Sequence, residues 1–203
     1  NSSHVEISYA VFCLKKFTKK NTHNSISGSA GPCLLFIHGV GLCREIWEPQ
    51  VEYFSKSYVV VTYDFLGHGL TPIASKSPTI EDYVEQLNEL VISLGISSFS
   101  LIGHSMGAII SVAYSLKYGD KINSLIPLNI VYKRSNGARN QVLDRANKII
   151  QTGEIGSIEQ TMSRWFENKK NPDQIVKINK VRQLLLNASP KGYGHAYTIL
   201  DGR

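Results

Sequence analysis

The stretch "FSLIGHSMGAIISVAYSLKYG", from Phe99 to Gly119, constrains this chain more than any other. A short continuous apolar run, as in a strand buried on both faces, gives way within a few residues to a helical pattern. Between the two lie Gly103, His104, Ser105, Met106 and Gly107. The two glycines let the backbone turn too sharply for bulky neighbours, so that a buried strand runs straight into a helix. A chain built this way is expected to be an α/β protein with a largely parallel sheet and helices on its faces.

The flanking sequence carries the same alternation. "CLLFIHG" from Cys33 and "YVVVTYD" ending at Asp64 are strand-sized apolar runs, and "INSLIPLNIV" supplies another after Gly119. Between them "EIWEPQVEYFSK" places Ile46, Trp47, Val51 and Phe54 at near-helical spacing. "SPTIEDYVEQLNELVISLG" is the clearest helix: Thr79 can cap it, acids fill its first turn, and Val84, Leu87, Val91 and Leu94 form one stripe before Gly95. Upstream, "HVEISYAVFCLKKF" reads as one or two early strands and "KKNTHNSISGSAGP" as a loop or turn. After Val131 the texture changes to helices alone: "NGARNQVLDRANKIIQTG", then "SIEQTMSRWFEN" with a capping box from Ser157 to Gln160, then "NPDQIVKINKVRQLLLNA" with Asn171 as cap and Pro172 first in the helix. The reading is a core over 1–131 and a helical lid over 132–203.

Charge is unevenly placed. Before Tyr132 there are 9 Lys and Arg against 10 Asp and Glu; from Tyr132 onward there are 13 against 6. Two readings stay open, a solvated helical face and a basic lid that attracts a small anionic substrate. Nucleic-acid binding is not indicated, because no glycine-aromatic single-strand motif or helix-turn-helix pattern accompanies the charge. No apolar run has the length of a membrane span, and no secretory leader is visible. Cys13, Cys33 and Cys43 form an odd set without a C-x-x-C pair, which argues against a disulfide framework or a structural zinc site. A reducing, cytoplasmic compartment is the default expectation, with Cys33 buried and Cys43 in a loop.

Ser105 is the candidate nucleophile. The turn lifts its hydroxyl off the sheet edge, and the helix that follows brings a dipole favouring negative charge. The bland alternative is a helix-capping serine in a tight turn. "IHGVG" adds a glycine loop over the same sheet edge, where the Val40 amide can join that of Met106 as an oxyanion hole. His38 reads as the residue orienting this loop. His38, Trp47, His104 and Trp165 are candidate pocket residues, with His68 read as a further wall.

Together "HGVG", "YDFLGHGLT" and "GHSMGA" resemble the α/β-hydrolase superfamily in order and spacing. The segments "VYKRSNGAR", "VLDRA", "RWF" and "LLNASPKGYGHAYTILDG" are similar to the lid of 3-oxoadipate enol-lactonase-like hydrolases. The sequence departs from many such relatives at Leu66 and Thr71, in a structural turn. The resemblance implies a serine hydrolase of carboxylic esters or lactones that acts on a small molecule without metal or organic cofactor. It further implies that the triad acid and histidine follow the lid, on loops after two more strands. None of His195, Asp201, Asp64, His68 and His104 is placed as a substitute, so the expectation is a fragment of a longer enzyme. Alternatives are a carbon–carbon bond hydrolase of aromatic breakdown and a non-catalytic binding module that keeps the pocket.

Overall fold

The structure is a computed structural model that describes residues 21–73, 77–131, 133–166 and 172–200. Five strands form one sheet: β1 (Asn24–Ser27), β2 (Cys33–Ile37), β3 (Val59–Tyr63), β4 (Phe99–His104) and β5 (Ile122–Leu128). Their order across the sheet is β1-β3-β2-β4-β5. Only β1 runs antiparallel to its neighbour; the pairs β3–β2, β2–β4 and β4–β5 are parallel. The four apolar runs therefore become the parallel strands the sequence implies. "HVEISYAVFCLKKF" lies outside the described residues.

β1 corrects the reading of residues 19–32 as a loop. "NSIS" has one apolar residue and no strand-like run, yet Asn24 pairs with Tyr63 and Ser27 with Val60. An edge strand has only one neighbour to satisfy and can be written in polar residues, so propensity did not reveal it.

Alternation along the strands sorts the core onto two faces. Leu35, Ile37, Val61, Tyr63 and Leu101 face the larger cluster, with α2 (Ile80–Ser93) and α3 (Met106–Tyr118) packed on it. Phe36, Val60 and Ile102 point the other way and meet Trp47. Trp47 closes a 3₁₀ turn, Arg44–Trp47, that leads into α1 (Glu48–Phe54), and its ring lies 4.9 Å from that of Phe36. α2 starts at the expected cap, with the Thr79 backbone N–H donating to Asp82 Oδ2 at 2.9 Å.

Buried Gln86 on α2 is fully used. Its Oε1 accepts from the Leu66 N–H at 2.9 Å, and its Nε2 donates to Thr22 Oγ1 at 3.1 Å and to the Asp64 carbonyl at 3.2 Å. It thus pins the turn after β3 to the helix layer. Asp64 is itself fully buried and accepts from the Arg44 N–H at 2.7 Å, the Arg44 guanidinium at 3.1 Å and the Leu70 N–H at 3.1 Å.

Beyond β5 come α4 (Asn136–Thr152), α5 (Ile158–Trp165), α6 (Pro172–Leu186) and α7 (Pro190–Ile199), with no strand between them among the described residues. Ser157 caps α5 by accepting from the Gln160 N–H at 3.2 Å; Asn171 lies outside the described residues. The sequence reading stops at three helices, and α7 is the fourth. Gly192 and Gly194 mask it, since glycine weakens a helix interior, although Ser189 and Pro190 spell a start signal.

α7 packs along α4, and its tight contacts reach the core. Gly192 touches Gly67 in the turn after β3, while Tyr193 and Leu185 sit over Gly41 in the loop after β2. The α5–α6 end is tied by side-chain ion pairs, Arg182 with Glu159 at 2.9 Å and Lys180 with Glu48 on α1. No helix among the described residues is long and apolar enough to cross a membrane.

Candidate active site

Ser105 joins β4 to α3 with φ 55° and ψ −112°, a conformation that L-residues other than glycine rarely adopt. The two flanking glycines explain how the chain reaches it. A Cβ on Gly103 would collide with the Gly107 carbonyl, and one on Gly107 with the carbonyls of Ile37 and His38 at the end of β2. Strand, helix and neighbouring strand therefore approach at backbone distance, and the strain at Ser105 is held by the packing around it. The Ser105 N–H donates to the Leu128 carbonyl at 2.9 Å, which ties the elbow to the end of β5.

Gly39 is pressed against the same point: a Cβ there would lie 3.1 Å from His104 Nδ1 and 3.4 Å from Ser105 Cβ. The Gly39 carbonyl is turned toward His38 Nδ1, which donates to it at 2.8 Å, and it also accepts the Leu42 N–H at 3.3 Å. In a trans peptide the C=O and the following N–H point in opposite directions. Fixing the Gly39 carbonyl thus aims the Val40 N–H the other way. Met106 is the first residue of α3, so its N–H has no carbonyl one turn behind it.

His38 is fully buried and does not line the cavity beside Ser105, which corrects its reading as a pocket wall. Both ring nitrogens are used within the protein: Nδ1–H donates to Gly39, and Nε2 accepts from the Phe65 N–H at 3.3 Å. This fixes the neutral tautomer, in keeping with burial that pulls its pKa down to about 3. The ring stacks on Phe65 at 4.1 Å. His68 is likewise buried, donates to the Leu66 carbonyl at 3.2 Å and is lowered to about 3 by burial, so it too is no pocket wall. His195 sits buried within α7 and outside the cavity lining. Among the described residues no histidine hydrogen-bonds the Ser105 hydroxyl.

A cavity of about 640 Å³ opens at Ser105. His104 lines it, half-buried, with its pKa lowered by desolvation. So do Trp47 and Trp165, from the core and lid sides respectively. The lining also includes Gln50, Leu128, Asn129 and Phe166, which the sequence reading does not single out. One signal was available for Leu128 and Asn129: ligands of open α/β sheets bind beyond the carboxyl ends of the strands, and both sit at such an end.

No lysine or arginine lines this cavity among the described residues. Arg145, Lys148 and Arg164 instead line a separate depression of about 260 Å³ between α4 and α5. The two described cysteines are quiet thiols: Cys33 is half-buried, less than the burial expected, and pushed up to about 12 by desolvation. Cys43 is pushed up to about 11, mainly by the same cause.

A strand–serine–helix elbow on a parallel sheet, opening on a cavity that the helices after β5 help to line, is the layout of a hydrolase. The sequence profile of the α/β hydrolase fold matches residues 32–185, and the chain belongs to that family. It is 36% identical over 186 residues to the (E)-2-((N-methylformamido)methylene)succinate hydrolase of Acinetobacter baylyi, covering 91% of this chain and 68% of the relative. It is 27% identical over 166 residues to 3-oxoadipate enol-lactonase 2 of the same organism, covering 80% of this chain and 60% of that one. The crystal structure of the enol-lactonase from Burkholderia xenovorans superposes with a TM-score of 0.80 at 24% identity, over 89% of this chain and 70% of that one. The chain therefore spans roughly two thirds of the length of these proteins.

Proposed function

We propose that this chain carries the nucleophile, the oxyanion hole and the lid of a serine hydrolase acting on a small carboxylic ester or lactone. The observation that carries the reading is the strained elbow, which places Ser105 in the lining of a cavity; the Val40 and Met106 amides are assigned in this reading as the two donors beside it. In this mechanism Ser105 Oγ attacks the carbonyl carbon and its proton passes to a histidine base. The carbonyl oxygen becomes an oxyanion held by the Val40 and Met106 amides. Collapse expels the alcohol or enol, which takes up that proton, and water then releases the acid from the acyl-serine. Donors of this kind typically lower the barrier by about 3–4 kcal/mol each. The base and its orienting carboxylate are assigned to parts of the enzyme outside the described residues.

In the same reading residues 1–131 are the core and 132–203 the lid. Trp47, His104 and Trp165 are the walls that touch substrate. A carboxylate-bearing substrate is favoured because the names of the two relatives describe a succinate derivative and an oxoadipate enol-lactone. The basic lid supports it by raising the local concentration of anions from a distance, since its cations stand off the cavity.

The test is covalent labelling of the complete gene product by a fluorophosphonate. Stoichiometric modification at Ser105, lost in S105A, is the expected result; an unlabelled wild-type protein would overturn the reading.

A further inference from the structure

Ser105 shares an uncommon property with one other cavity residue. Asn129 has φ 53°, so both occupy the left-handed side of conformational space without being glycine. Both line the cavity. They are also neighbours by construction. His104 on β4 is in parallel register with Leu128 on β5, which sets Ser105 and Asn129 side by side one step beyond the strand ends. Adjacent strands run about 5 Å apart, and the hydrogen bond from the Ser105 N–H to the Leu128 carbonyl holds that spacing at the elbow.

Asparagine is among the few residues other than glycine that take this conformation readily, so the turn can carry a polar side chain at the cavity. Asn129 is exposed, and its carboxamide forms no hydrogen bond with another described residue. A carboxamide offers two N–H donors and one acceptor oxygen. Among the polar lining residues, Gln50 belongs to α1 and His104 precedes the nucleophile on its own strand. Of these, Asn129 alone flanks Ser105 from the neighbouring strand.

We infer that Asn129 is a specificity-determining residue, whose amide N–H donates to an acceptor oxygen on the acyl group a few bonds from the scissile carbonyl. The substrate class is then a half-ester or lactone of a dicarboxylic or oxo acid, bound by a neutral donor in a cavity without lining cations. This rests on the proposal that Ser105 is the nucleophile.

The experiment pairs monoethyl succinate with ethyl butyrate, equal in acyl-chain carbon number and different in the terminal oxygens. In the complete gene product carrying S105A, which cannot form an acyl-enzyme, calorimetry reads binding of each intact ester. N129G removes the carboxamide and keeps the backbone unstrained. It should weaken monoethyl succinate about tenfold, the value of one hydrogen bond to a charged group, and leave ethyl butyrate within about twofold. N129D replaces the donor with a negative acceptor and should weaken the succinate ester further. Equal loss on the two esters, no loss on either, or failure of monoethyl succinate to bind overturns the inference. Fluorophosphonate labelling of the N129G protein at the wild-type rate shows that the elbow is intact. Absence of labelling in the wild type sinks the serine-hydrolase reading separately.

Discussion

At the scale of single residues, His38 shows how a buried side chain can serve a site it does not enter. Its donated bond turns the Gly39 carbonyl away, and the Val40 amide is aimed by the same peptide plane. Replacing it with phenylalanine keeps the stacking on Phe65 but strands the Phe65 N–H and frees the Gly39 carbonyl. The expected result is a loss of about 1–3 kcal/mol in stability by urea titration, together with slower fluorophosphonate labelling of Ser105.

His38 and His68 also set an acid limit. Both have folded pKa values near 3 against about 6.5 when unfolded, so the unfolded chain binds more protons throughout that interval. Their contribution is intact above pH 6.5 and is lost as pH falls toward 3, at up to about 1.4 kcal/mol per pH unit for each ring. Urea midpoints taken from pH 7.5 down to pH 5 should fall steadily, and a flat profile would contradict the neutral tautomers described above.

At the scale of elements, one carboxylate decides how the loops stand. Asp64 ends β3 and holds the Arg44 backbone, the Arg44 guanidinium and the Leu70 amide. Those bonds join the start of the 3₁₀ turn to the turn after β3, on either side of the loop that carries Val40. D64N leaves Arg44 without its buried counter-charge and presents an N–H to a donor. Removing one partner of such a pair costs about 3–5 kcal/mol, so the thermal midpoint should drop by many degrees.

The elements themselves were unequally legible. β2, β3 and β4 announced themselves because strands buried on both faces must be written as unbroken apolar runs. α2 did so through its cap and stripe. β1 and α7 did not, because "NSIS" and "PKGYGHAYTI" owe their structure to what they lie against, namely β3 in one case and α4 with Gly67 in the other. The site divides the same way. Ser105 could be read from two glycines at fixed spacing. Asn129 was marked only as the end of a strand, and its place beside the nucleophile arises once β5 pairs with β4.

At the scale of the whole molecule, the sheet of the described residues ends at β1 on one side and at β5 on the other. β5 is an outer strand, and Ile126, Leu128 and nearby Ile130 are 44%, 38% and 37% exposed. An edge of unpaired backbone groups with apolar side chains invites pairing with another chain. The 203-residue polypeptide is therefore expected to associate, with sedimentation velocity showing species larger than a monomer. I126K, which places a charge on that edge, should shift the distribution back toward monomer; a wild-type sample that is wholly monomeric would refute this. Charge works over a longer range. If the basic lid draws in anionic esters, kcat/KM of the complete enzyme for monoethyl succinate should fall as salt rises and the Debye length shrinks below about 10 Å. Ethyl butyrate should show no such slope.

The glycine-to-glycine contact between α7 and the turn after β3 makes the roof asymmetric. Where two backbones touch with no side chain between them, there is no slack for rocking, so that end behaves as part of the foundation. The opposite end, carrying Trp165, packs through Met162 and Leu185 and adds ion pairs that water and salt can loosen. Amide hydrogens of α7 should exchange as slowly as those of the sheet, and those of α5 far faster.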